Sequence, residues 1–146
     1  MTAYIYHMTN TAALLALPRP DAIGALQLAD LVAGGLPVRS AERMGEVLSG
    51  MGRGTLHKIV SESSLRRARD GSGYLKRETS ERLYDVARVF AEAEAMMGDR
   101  EKALSFMRSP NPFLGMKSPF DLTRSSTAGA QAVLELIGQV RAGAYS

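Results

Sequence analysis

Cysteine and tryptophan are absent from the 146 residues, and histidine occurs only at His7 and His57. Without thiols the chain has neither disulfides nor thiolate chemistry. Two histidines so far apart leave little from which to build a zinc site, so no metal and no cofactor is expected. No apolar run approaches the roughly 18 residues that a membrane helix needs. Met1 to Asn10 holds no basic stretch ahead of an apolar one, so neither a signal peptide nor a membrane partner is expected, and the default location is the cytoplasm. Strand-like alternation is scarce too: beyond Tyr4 to Tyr6 and Leu36 to Val38 there is none.

What is present is helical in character, with Ala, Leu, Glu, Arg and Met dominating at helical spacing. At 45% hydrophobic and 23% charged, the chain suits one compact domain, or one plus a small appendage. The net charge of +3 is unevenly spread. From Arg53 to Arg77, seven basic residues (Arg53, Lys58, Arg66, Arg67, Arg69, Lys76, Arg77) face two acids (Glu62, Asp70), while the segments before and after are each slightly acidic. One stretch of 25 residues thus holds more than the whole excess. This is the footprint of a phosphate-facing surface, although a solvated helix face has the same composition.

The expected fold is all-α. Residues 1–20 read as a loose segment ending in Pro18-Arg19-Pro20. Asp21 then caps a helix carrying Ile23, Leu26, Leu28 and Leu31, stopped at Gly34-Gly35. Ser40 caps the next, with Met44, Val47 and Leu48 inward and Gly50 past its end. Short helices follow over Thr55 to Val60 and Ser63 to Arg69, then a turn at Asp70-Gly71-Ser72-Gly73. The longest periodic segment runs from Arg77 to Met97, with Leu83, Val86, Phe90, Ala93 and Met97 on one stripe and Gly98 after it. Asp99 caps a helix bearing Ala103, Leu104 and Met107. Ser109-Pro110-Asn111-Pro112 interrupts the chain, and Ser118-Pro119 opens another helix. Ser126 or Thr127 starts a terminal helix with Ala130, Val133, Leu134, Ile137 and Val140 inward.

Basic density and helical pattern coincide at Thr55 to Arg69. Two short helices about three residues apart are what a helix-turn-helix needs: the first braces, and the second enters the major groove N-terminus first. Leu56, Ile59, Val60 and Leu65 supply the apolar faces. Lys58, Ser63, Ser64, Arg66, Arg67 and Arg69 are left to reach phosphates and guanine edges. A plain helical hairpin carries the same pattern. Elsewhere the chemistry is thinner. Met51-Gly52-Arg53-Gly54-Thr55 lacks the spacing of a phosphate loop and follows no strand, His57 has no second ligand at hand, and Glu78, Glu81 and Asp85 suit the amino end of a helix. The eight methionines read as core filler and adaptable interface. Nothing assembles a nucleophile, base and oxyanion site, so no catalytic residue is assigned and an enzyme is not expected.

The last third holds an ordered series: Gly98-Asp99-Arg100-Glu101-Lys102-Ala103, Pro110-Asn111-Pro112-Phe113-Leu114-Gly115, Ser118-Pro119-Phe120-Asp121-Leu122, Gly129-Ala130 with Val133-Leu134, and Gly143-Ala144-Tyr145-Ser146. It resembles the toxin-binding domain of the Xre/MbcA/ParS-type antitoxins, the partners of RES-domain toxins. Upstream, Gly35-Leu36-Pro37-Val38, Ser63-Ser64-Leu65-Arg66-Arg67 and Ser80-Glu81-Arg82-Leu83 stand where that family has its helix-turn-helix and following helix, so the resemblance covers about residues 35–146. Phe106-Met107 replaces a tryptophan-leucine pair, Gly115-Met116 a double glycine, Val140 an isoleucine, and Lys76 a capping serine. The core swaps remain apolar.

The resemblance implies an Xre-like helix-turn-helix bundle over 21–97, joined to a helical toxin-binding domain over 98–146. It further implies a homodimer that neutralises a RES toxin by lying across its active site and represses its own operon by binding operator DNA. The degradation of NAD belongs to the toxin. Tyr145, with an apolar body and a hydroxyl tip, and a terminal carboxylate suit an interface whose arginines would otherwise hold NAD phosphates. Arg141, Gly143, Ala144, Tyr145 and Ser146 are the expected toxin-binding residues, at an end that the resemblance sends into the toxin's cleft. The competing reading is a stand-alone helix-turn-helix regulator whose C-terminal helices dimerise or sense a ligand.

Overall fold

The computed structural model describes residues 10–143. The order is α1 (residues 10–14), α2 (Ala25–Gly34), α3 (Val38–Leu48), two 3-10 turns (Ser49–Met51 and Thr55–Lys58), α4 (Glu62–Asp70), α5 (Arg77–Met97), α6 (Arg100–Arg108), a 3-10 turn (Pro112–Leu114), α7 (Pro119–Ser125) and α8 (Thr127–Arg141). The fold is all-α as expected: among the described residues no strand forms, only the isolated bridges Pro37–Tyr74 and Asn111–Lys117. The strand-like Leu36 to Val38 is used in the first of these. Leu75 N donates to Leu36 O at 2.8 Å and Val38 N to Gly73 O at 3.0 Å, which closes the chain around α3 and α4.

Helix α5 is the axis. Its expected stripe of Leu83, Val86, Phe90 and Ala93 is fully buried, but so are Ala87, Val89 and Ala91, because α2 packs against it and α6, α7 and α8 do so as well. Met97 at its end is only half-buried. Gly98 ends the helix in the left-handed conformation (φ +72) and returns its N–H to Glu94. One apolar cluster runs from Leu15 and Leu36 through α5 to Ile137, so packing does not break at residue 97.

Several caps form as the residue types require. Asp99 accepts from Glu101 N at 2.9 Å, Ser118 from Asp121 N at 3.1 Å ahead of Pro119, and Ser126 from Gly129 N at 2.9 Å, which places the start of α8 at Thr127. Two do not. Helix α2 starts three residues later than an Asp21 cap requires, after extended Gly24, because Ile23 turns into the core before the helix begins. Helix α3 starts at Val38 after Pro37, which leaves Ser40 inside it. There the hydroxyl is fully buried and donates to Leu15 O at 2.5 Å.

Other expectations are displaced by packing. The segment before residue 21 is not loose over its described part: Thr11, Ala12, Leu14, Leu15 and Leu17 are buried. Ala16 takes φ +53 to end α1, and Leu17 N returns to Ala12 O. Residues 1–9 lie outside the described residues. Gly50 lies past the end of α3 as expected and is also a point of close approach, since a Cβ there would lie 2.5 Å from Leu104 Cδ1. Leu26 is 77% exposed and Val140 39%, while Leu136, one turn before Val140, is buried instead.

Candidate functional site

The basic stretch folds into a short recognition-type helix on a brace. Ser61 caps α4, accepting from Ser64 N at 3.1 Å, and its hydroxyl also meets those of Ser64 (2.8 Å) and Ser63 (3.3 Å). Leu65 and Ala68, three apart, are the buried face, which leaves Ser63, Arg66, Arg67 and Arg69 exposed and Ser64 half-buried. Ser63, Arg66 and Arg67, at i, i+3 and i+4, thus share one exposed face of the helix.

The brace differs from the expected one. The helix anticipated over Thr55 to Val60 is a single 3-10 turn, Thr55–Lys58. Gly52 (φ +134) and Gly54 (φ +79) precede it in conformations that do not propagate a helix, and the Thr55 hydroxyl donates to Gly52 O at 2.7 Å. Ile59 and Val60 are buried beneath it. Helix α3 packs against both this turn and α4, so α3 provides the bracing that the short helix does not.

The basic side chains separate into two groups. Arg69 donates to Glu42 of α3 at 3.1 Å and is thereby tied to the brace. Arg66, Arg67, Lys58 and Arg53 are exposed and form no ion pair among the described residues. Lys76 caps α5 without a side-chain hydrogen bond. His57 faces Val60 O (3.0 Å) and Glu62 (3.8 Å), a local contact at the junction of the 3-10 turn and α4.

At the other end, Gly143 is exposed with φ +82, one residue past the C-cap Ala142. Arg141 reaches back to Glu92 of α5 at 3.2 Å and lines a cleft of about 480 Å³ with Arg43, Glu94 and Arg100. Ala144, Tyr145 and Ser146 lie outside the described residues. Among the described residues, none of the expected site residues lines a second cleft, of about 720 Å³, between α2, α5 and α8.

Asp85, grouped by the sequence with Glu78 and Glu81 at the amino end of a helix, has a different role. It is buried two turns into α5 rather than at the helix start with Glu78. It accepts from Arg88 Nε at 3.0 Å and from the Thr127 hydroxyl at 2.9 Å, joining α5 to the first residue of α8. The Arg88 guanidinium also lies over the Tyr84 ring, 5.7 Å from its centroid. The i,i+3 spacing to Arg88 was visible in the sequence, but the partner 42 residues on was not.

Comparison with known proteins follows the same division. A family model described as the antitoxin Xre-like helix-turn-helix domain matches residues 27–88, from α2 into α5. A second, the antitoxin Xre/MbcA/ParS C-terminal toxin-binding domain, matches 92–143, from the end of α5 through α8. The chain is also similar to "Antitoxin Xre" of Yersinia enterocolitica, 36% identical over 88 residues, which is 60% of this chain and 59% of that protein. The match thus spans about three-fifths of that relative's length. Both regions carry domains of one antitoxin type in the same order, and the chain belongs to the Xre/MbcA/ParS antitoxin family.

Proposed function

We propose that this chain neutralises a partner toxin through its C-terminal helices and binds the operator of its own operon through α4, as a homodimer in the cytoplasm. The observation that carries the reading is the segregation of roles in one fold. Arg66 and Arg67, exposed and without an ion pair among the described residues, stand on a capped helix in the region matched to a helix-turn-helix, while α6 to α8 fall in the region matched to a toxin-binding domain. The first can neutralise phosphates and read base edges, and the second needs only a complementary protein surface.

The finer reading names the toxin as a RES-domain protein, an NAD-degrading enzyme, blocked when Arg141 to Ser146 occupy its active site. The end of α8 supports it, because Gly143, just past the helix, is exposed. On this reading the antitoxin carries out no chemistry of its own. The test is co-expression with the product of the neighbouring reading frame. Neutralisation and co-purification are expected, and removal of Gly143 to Ser146 should release toxicity while promoter binding by the antitoxin alone persists. Full neutralisation by the truncated chain overturns occlusion by the tail. Operator binding without any toxin partner would favour a stand-alone regulator.

A further inference from the structure

The loop between α6 and α7 has a feature that neither the core nor the DNA-facing helix explains. Asn111 organises it. Its Oδ1 accepts from Phe113 N at 2.9 Å, its carbonyl accepts from Leu114 N at 3.0 Å and Met116 N at 2.9 Å, and its own N–H donates to Lys117 O at 3.1 Å. Leu114 packs against the core and fixes the loop to it. The loop so held displays Met116, 63% exposed, with Phe113 at 59%.

Met116 has φ +67, directly after Gly115 at φ +65. That backbone suits glycine and strains a methionine, so the turn itself does not call for a side chain at this position. The side chain is not there to fill the core either, since it faces solvent. Lys117 follows, exposed and without an ion pair among the described residues, and Arg108 at the loop's base is in the same state. A strained, exposed apolar side chain on a rigid loop beside unpaired cations is a pre-organised anchor for a protein surface. It lacks the density of positive charge that phosphate contacts require.

We propose that this loop is a second docking point for the toxin, separate from the C-terminal residues, where Met116 enters an apolar pocket rimmed by acidic side chains. The assignment rests on the antitoxin reading above, and its occupant is argued from the loop's place inside the region matched to the toxin-binding domain, 92–143, and from its cationic flank.

The test is titration calorimetry of the full chain with the toxin encoded beside it. Met116→Gly relieves the positive φ, so the variant keeps the fold and its melting temperature reports this. The expected result is toxin binding weakened roughly tenfold or more, with unchanged promoter binding. Lys117→Glu should weaken it in the same direction through the acidic rim. Equal affinity for Met116→Gly and the unsubstituted chain overturns the docking point alone. Failure of the unsubstituted chain to bind overturns it together with the antitoxin reading.

Discussion

The hydroxyl of Thr127 donates to Asp85 Oδ2 across 2.9 Å, so the first residue of α8 is fastened to a buried carboxylate in α5, 42 positions earlier. The same carboxylate holds Arg88 Nε at 3.0 Å through its other oxygen. Asp85→Ala leaves a half-buried guanidinium and a hydroxyl without their acceptor. We expect a loss of about 3 kcal/mol in denaturant unfolding, with Thr127→Ala costing about 1 kcal/mol. A double-mutant cycle should show coupling between the two positions, and strictly additive costs would mean that the contact contributes nothing.

Gly129 is required where α7 turns into α8. A Cβ there would lie 2.1 Å from Leu122 O, a backbone atom with no rotamer to escape into. Gly129→Ala should therefore destabilise by about 2 kcal/mol or more, despite alanine's better helix propensity. Thermal melting decides it, and an unchanged or raised midpoint would contradict the close packing.

Leu26 and Leu28 stand two apart on α2 and read alike in sequence, yet Leu26 is 77% exposed and Leu28 buried. Leu28→Ala should cost about 2–5 kcal/mol and Leu26→Ala within about 0.5 kcal/mol in the isolated chain. Equal losses would place Leu26 in a contact that the folded monomer lacks.

On α4 the arginines should differ in kind. Arg66→Ala and Arg67→Ala, at side chains without an ion pair among the described residues, should each weaken operator binding by about 1–3 kcal/mol and lower the salt slope by about one. Arg69 is held by Glu42 at 3.1 Å, so Arg69→Ala should leave that slope nearly unchanged. Gel shifts across a salt series report both quantities. A common slope for all three variants would show that Arg69 leaves Glu42 for a phosphate.

The residue pattern determined the helical class, the span of α5 and the caps at Asp99, Ser118 and Ser126, because capping and 3.6-residue periodicity act within a few positions. It also placed Arg66 and Arg67 on an exposed helical face, since Leu65 and Ala68 mark the opposite one. What only the tertiary structure decided depends on distant partners. Ser40 would serve well as a cap, but the Leu15 carbonyl offers its hydroxyl a buried acceptor while Pro37 opens the helix. The apolar run after Asn10 reads as loose before its prolines, but α1 buries it in the common core. Thr55 to Val60 has a helical composition, but the left-handed glycines before it and the burial of Ile59 and Val60 reduce it to one turn, leaving α3 as the brace. Arg69, Asp85 and Met116 follow the same rule: local spacing shows which side chains an element carries, and only the neighbours brought by the fold determine which are satisfied internally and which remain for a partner.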